Sequence, residues 1–211
     1  VDELKKIWEP SAQGKVTKWN QVNPKWPDQA FKLFGAGSDS GTFDYFTEAI
    51  VGKAKASRGD YTASEDDNTL VQGVSQEKNA IGYLPMAYYL GNKDKLKAVG
   101  IIRNDKKGKA LPSVLPSRET VENGTYAPLS RPIFIYVSQK SLSKPEVKEY
   151  TNYFLKTAPT LVPSVQYVPL PPKAYDLAKK NLDSGKLGTV FEGHSEVGLK
   201  IEDLLKKETK N

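Results

Sequence analysis

Between Ala30 and Ala54 an apolar run, a loop of small and hydroxyl-bearing residues and an amphipathic stretch succeed one another without a break. Few local sequences narrow the choice of fold more, because strand, tight loop and helix in succession form the repeating unit of α/β sheets. Phe31, Leu33 and Phe34 make Ala30 to Gly35 a buried strand, and from Gly41 the residues Phe43, Phe46, Ile50 and Ala54 recur at helical spacing. Ser40 or Asp39 is a natural N-cap, and Asp44 in the first turn suits the helix dipole. The junction presents backbone N–H groups and the hydroxyls of Ser38, Ser40 and Thr42 at the positive end of a helix. This is suitable chemistry for holding an oxyanion. Further on, Arg58 precedes Gly59-Asp60-Tyr61 and the acidic run Glu65-Asp66-Asp67. A hydroxyl nest and one planar guanidinium can bind a tetrahedral anion without a metal.

The flanking sequence continues the alternation. Asp2 to Trp8 is expected to be a helix that stops before Pro10, and Val16 to Asn20 leads into a Pro-rich turn. Ser64 and Asp67 resemble a capping box ahead of a helix through Leu70, Val71 and Val74. Strands are expected at Ala80 to Leu84, at Lys97 to Ile102 and most clearly at Pro132 to Val137, which is β-branched and aromatic. Ala87 to Leu90 reads as a short helix, and Pro112 to Pro128 as loop. Three helices are expected beyond that strand, at Pro145 to Leu155, Pro172 to Leu182 and about Ser195 to Lys207. Short strands alternating with helices give a mixed α/β fold.

Composition removes several function classes. The 211 residues suit one large or two small domains, and the chain has no run of about eighteen apolar residues with which to span a membrane. It opens on Val1-Asp2-Glu3-Leu4 without a charged or apolar leader, so any secretory signal is expected to have been removed or to lie upstream. With no cysteine there is no disulfide, thiolate metal site or thiol nucleophile. The net charge of +6 is dispersed, and the basic patches Lys93 to Lys97 and Lys106 to Lys109 are short, which argues against a nucleic-acid surface. A mild positive field still favours capture of a small anion.

The loop fails the spelling of catalytic motifs. Counting from Gly35, a P-loop would need a lysine after its last glycine, and there is none. A nucleophile elbow would need serine where Gly37-Ser38-Asp39-Ser40-Gly41 has Asp39. The single histidine, His194, lies far downstream in a polar Gly-rich stretch and reads as a surface or cap residue, so a serine hydrolase or phosphatase is the weaker alternative. Glu65-Asp66-Asp67 has the spacing of a helix start, so no metal site and no cofactor are expected. Asn123-Gly124-Thr125 reads as a turn, and Trp8, Trp19 and Trp26 read as packing residues.

Taken together, the motifs resemble the periplasmic phosphate-binding proteins of bacterial ABC importers, in their cyanobacterial-type branch. The resemblance rests on Glu3-Leu4-Lys5-Lys6-Ile7-Trp8, Lys18-Trp19-Asn20, Gly37 to Phe46, Ser57-Arg58-Gly59-Asp60-Tyr61, Ser64 to Asn68, Asn79 to Tyr83 and Arg131 to Tyr136. It implies a type II periplasmic-binding-protein fold, two α/β lobes around a hinge with the first lobe incomplete. Residues 1–130 would form the lobe bearing the Ser-Gly-Thr loop, 131–137 a hinge strand, and 138–211 part of the other lobe. Family members begin with a further segment of roughly a hundred residues, which supplies a carboxylate that accepts the proton of hydrogenphosphate. The resemblance implies that this sequence lacks that segment, and a partner chain or segment could supply it.

The resemblance also implies a non-enzymatic role: extracytoplasmic binding of inorganic phosphate, delivered to ABC transporter membrane subunits, with anchoring through a missing N-terminus open. Ser40, Gly41 and Thr42 would donate to phosphate, Arg58 would clamp it, and Ser38 would shape the loop, with Asp39 in support. From its position, Asp60 is expected to orient Arg58. The alternative is a truncated or vestigial binding protein that serves as an interaction or regulatory module.

Overall fold

The computed structural model describes residues 1–105, 107–189, 196–198 and 201–210. It divides into two compact units: Val1–Pro116 with Tyr126–Leu129, and Ser117–Thr125 with Ser130–Asn211.

In the first unit a three-stranded parallel sheet carries the site. Strand β1 (Lys32–Ala36) lies in the middle, between β2 (Thr62–Ser64) and β3 (Ala80–Gly82). Phe34 stands opposite Thr62 on one side and Gly82 on the other. The flanking helices are α1 (Asp2–Trp8), α2 (Trp19–Val22), α3 (Gly41–Val51), α4 (Asp67–Gln76) and α5 (Met86–Leu90). Residues 33–36 of β1 are all buried, as expected for a central parallel strand covered on both faces. The core gathers Ile7 and Trp8 of α1, Val22, Leu33, and Phe46 and Ile50 of α3. Trp8 is 1% exposed and meets Phe46, Tyr61 and Tyr83 edge to face at 5.6, 5.3 and 4.9 Å between ring centroids. Phe46 stacks on Tyr83 at 3.8 Å. Burial of rings of this size is among the largest single contributions a small unit can draw on.

Glycine is required where rings crowd the backbone. A Cβ on Gly35 would lie 2.5 Å from the Tyr83 ring, and one on Gly73 of α4 would overlap the Phe34 ring.

The second unit is helical among its described residues: α6 (Arg118–Glu122), α7 (Pro145–Leu161), α8 (Pro172–Asp183) and α9 (Ile201–Lys210). Thr151 and Ala158 of α7, Ala174 of α8 and Leu204 of α9 are buried.

Several expectations need correction. The segment 131–137 does not form the expected hinge strand: no residue of Pro132 to Val137 lies in a strand. All three described strands belong to the first unit, so this segment has no ladder to join, and β-propensity alone does not make a strand. Ile133, Ile135 and Tyr136 are 66, 50 and 76% exposed. The strand expected at Lys97 to Ile102 shrinks to one antiparallel bridge between Ile101 and Val114. Pro112 and Pro116 flank Val114, and prolines cannot donate to a longer ladder. Pro112 to Pro128, expected to be loop, contains α6, whose cap Ser117 forms a reciprocal box with Thr120. The helix α4 is capped by Asp66 and not by Ser64: Asn68 N–H donates to Asp66 Oδ1 at 2.9 Å. Strand β2, too short to show alternation, is an addition to the expected elements. Helix α7 runs on to Leu161, beyond the expected Leu155, and Glu196 to Gly198 lie outside any helix. Ser195 and His194 lie outside the described residues.

Candidate functional site

The three parallel strands end together, and the segments beyond their C-terminal ends build the site. After β1 comes the loop Gly37–Ser40, then the first turn of α3. Ser40 caps that helix, its Oγ accepting from Thr42 N–H at 3.1 Å, and Asp44 N–H donates to the Ser40 carbonyl. With Oγ already accepting, the Ser40 hydroxyl proton is the part that can be directed at a ligand. Ser38 and Asp39 are exposed, Ser40 and Thr42 half-buried, Gly41 exposed. The loop is thus open to solvent at the positive end of an eleven-residue helix.

After β2, Gly37 N–H donates to the Ser64 carbonyl at 3.2 Å, which carries the sheet register into the loop. Glu65 is the next residue, and its Oε1 accepts from Asp39 N–H at 3.2 Å. After β3 stands Tyr83. Its hydroxyl and that of Tyr61 both donate to the Ala36 carbonyl, at 3.3 and 3.0 Å. Burial raises the pKa of both phenols, with the Glu65 charge adding to it, so both stay protonated donors that fix the loop's point of departure.

Arg58 is held by partners within the chain. Its side chain is 3% exposed. Nη1 donates to the carbonyls of Ile7 (3.0 Å) and Val16 (2.8 Å), Nε to Asp60 Oδ1 (2.5 Å) and Nη2 to Asp60 Oδ2 (2.8 Å). Arg58 N–H donates to the Trp8 carbonyl at 3.1 Å. The guanidinium therefore ties the end of α1 and the turn after it to the chain entering β2. The Ser-Gly-Thr loop follows the C-terminal end of the parallel neighbour β1. Two backbone carbonyls and a forked carboxylate satisfy a buried guanidinium where it stands. Asp60 does hold Arg58, as its sequence position suggested, and also accepts from Gly14 N–H at 3.0 Å. The Arg58 hydrogen bonds lower the Asp60 pKa from 3.8 to about 2.

Sequence reasoning missed the role of Glu65, Tyr61 and Tyr83 at the loop. For Glu65 and Tyr83 the signal was parallel register, since residues just after neighbouring strands share one edge of a sheet, whereas Tyr61 precedes β2 and carried no such signal. The acidic run Glu65-Asp66-Asp67 is a helix start, as its spacing implied.

Comparison with known proteins then places the chain. The family model of the PBP superfamily domain matches residues 1–157. Protein SphX of Synechocystis sp. is 51% identical over 209 residues, 99% of this chain and 60% of that protein. Phosphate-binding protein PstS of Staphylococcus haemolyticus is 38% identical over 184 residues, 86% of this chain and 54% of PstS. Among solved structures, a possible phosphate binding protein from Planctomyces limnophilus matches with 45% identity and a TM-score of 0.71, covering 88% of this chain and 64% of its own. An ABC-type phosphate transport receptor from Vibrio cholerae shares the fold at 21% identity and a TM-score of 0.52, covering 80% of this chain and 62% of its own. The chain spans about 60% of the length of the SphX relative. With a parallel α/β sheet and a hydroxyl loop at its C-terminal edge, and with its family model matched over residues 1–157, the chain belongs to the PBP superfamily.

Proposed function

We propose that this chain carries the anion-holding loop of an extracytoplasmic, non-enzymatic phosphate-binding protein that delivers phosphate to an ABC importer. The observation that carries this reading is the loop Ser38–Thr42. It is solvent-open, sits at the N-terminus of a helix whose inner face is buried, and has its departure fixed by two tyrosine hydroxyls. Relatives over nearly the whole chain bear the name phosphate-binding protein, or SphX. In this reading Ser40 and Thr42 donate hydroxyl hydrogen bonds, Gly41 lets the anion approach the backbone, and Ser38 shapes the rim. Asp39 is the loop's own acidic member. Arg58 and Asp60 serve as the scaffold beneath. In the whole protein, closure on the ligand is what transporter subunits recognise. A segment or partner supplying the length that relatives have and this chain does not span would complete the second wall and exclude water.

In this reading Ser40 acts as a hydrogen-bond donor, its Oγ accepting from Thr42 N–H as the helix cap. The test is calorimetric titration of the chain with phosphate and, separately, sulfate, beside Ser40→Ala. Phosphate heat that Ser40→Ala weakens at least tenfold is the expected result. An affinity that Ser40→Ala leaves unchanged would move the site off this loop, and silence from both proteins would remove phosphate binding from the chain.

A further inference from the structure

One feature of the loop works against an incoming anion. Asp39 N–H points at a carboxylate that the protein itself supplies, Oε1 of Glu65, at 3.2 Å. That carboxylate lies against Gly37, where any Cβ would overlap it, so the glycine makes the room it occupies. The backbone holds it there, because Gly37 N–H to Ser64 carbonyl fixes residue 65 beside the loop. Its charge reaches the Tyr61 and Tyr83 hydroxyls that fix the loop, and Asp67 behind it. Asp39, Asp66 and Asp67 are the other carboxylates in the immediate sequence, and Asp66 is spent as the cap of α4.

We propose that Glu65 is the internal anion of this loop, which occupies its N–H group until the external anion arrives and thereby sets the affinity. The inference rests on the reading of the loop as the phosphate site and adds what controls it. A carboxylate and a doubly charged anion cannot share one N–H without repulsion, so binding requires the Glu65 side chain to swing away. Glu65 is exposed and its stem is flexible, so it can turn into solvent without disturbing the core. Because this repulsion depends on charge and not on protons, it acts on phosphate and sulfate alike and weakens as salt screens it.

The test is calorimetric titration of the chain, Glu65→Gln and Glu65→Ala with phosphate and with sulfate, at about 20 mM and about 500 mM salt, with circular dichroism confirming each fold. Glu65→Gln keeps the side-chain oxygen and removes the charge, and it is expected to bind phosphate about tenfold more tightly at low salt, with a smaller gain at high salt. Glu65→Ala is expected to bind at least as tightly as Glu65→Gln. A wild-type chain without measurable heat beside a Glu65→Gln chain that binds would support the proposal in its strongest form. If the wild type binds phosphate and both variants bind equally or more weakly, the proposal is overturned while the phosphate reading stands. If none of the three proteins binds either anion, the phosphate reading falls and this proposal falls with it.

Discussion

Replacing Asp60 with asparagine isolates what the Arg58 pair contributes, because it keeps an acceptor oxygen in place and removes only the charge. The carboxyl has a pKa of about 2 in the folded chain against 3.8 ordinarily, with the Arg58 hydrogen bonds as the leading cause. That gap corresponds to roughly 2.4 kcal/mol at neutral pH if nothing screens it. The Asp60 side chain is 34% exposed, however, so water screens the pair and about 1 kcal/mol is the better expectation. The sign comes from the depressed value. The contribution is complete well above 3.8 and is lost as pH falls through about 2. At pH 3 roughly half of it should be gone. Urea unfolding of wild type and Asp60→Asn, monitored by tryptophan fluorescence, should give a gap of about 1 kcal/mol at pH 7 that narrows to about 0.5 kcal/mol at pH 3. No gap at pH 7, or a gap that widens with acid, would refute the assignment of Arg58 and Asp60 as a stabilising pair.

Two further substitutions probe the frame around the loop. Thr47 is fully buried; its Oγ1 donates to the Phe43 carbonyl at 2.8 Å and accepts from Lys55 N–H at 2.7 Å, which holds the left-handed residue Lys55 after α3. Thr47→Val leaves that N–H without its acceptor and should lower unfolding free energy by about 1–2 kcal/mol in a urea titration; an unchanged midpoint would show that water replaces the hydroxyl. Gly73→Ala drives a methyl into the buried Phe34 ring and should cost about 1–3 kcal/mol in the same assay, whereas a neutral result would mean that α4 can slide away from β1.

The legible parts of the sequence were those whose signal is local. The step from β1 to α3 could be read because the apolar run, the cap and the helical period all lie within one short window, and Ser40 is the cap in fact. The long helices α7 and α8 announced themselves by their apolar period and their opening prolines. The parts that resisted reading depend on partners distant in the chain. Pro132 to Val137 has the composition of a strand, but a strand exists only where another backbone receives its hydrogen bonds. Strand β2 is three residues long and offers no alternation to detect. Arg58 showed its chemical type and not its surroundings: the carbonyls of Ile7 and Val16 that engage it lie 51 and 42 residues earlier. Glu65 was legible as part of a helix start, and only the parallel register shows that its side chain turns back to the neighbouring loop.

The contact of the Tyr61 and Tyr83 hydroxyls with a single carbonyl also makes the protein report on itself. Both phenol rings lie edge-on to Trp8, while Trp19 and Trp26 pair with each other elsewhere in the first unit. A shift of Ala36 must pull on both rings and so change the surroundings of one indole. With Trp19 and Trp26 replaced by phenylalanine, the emission of Trp8 would become a label-free optical gauge of loop position, read in real time and in any buffer, with no dye placed near the ligand.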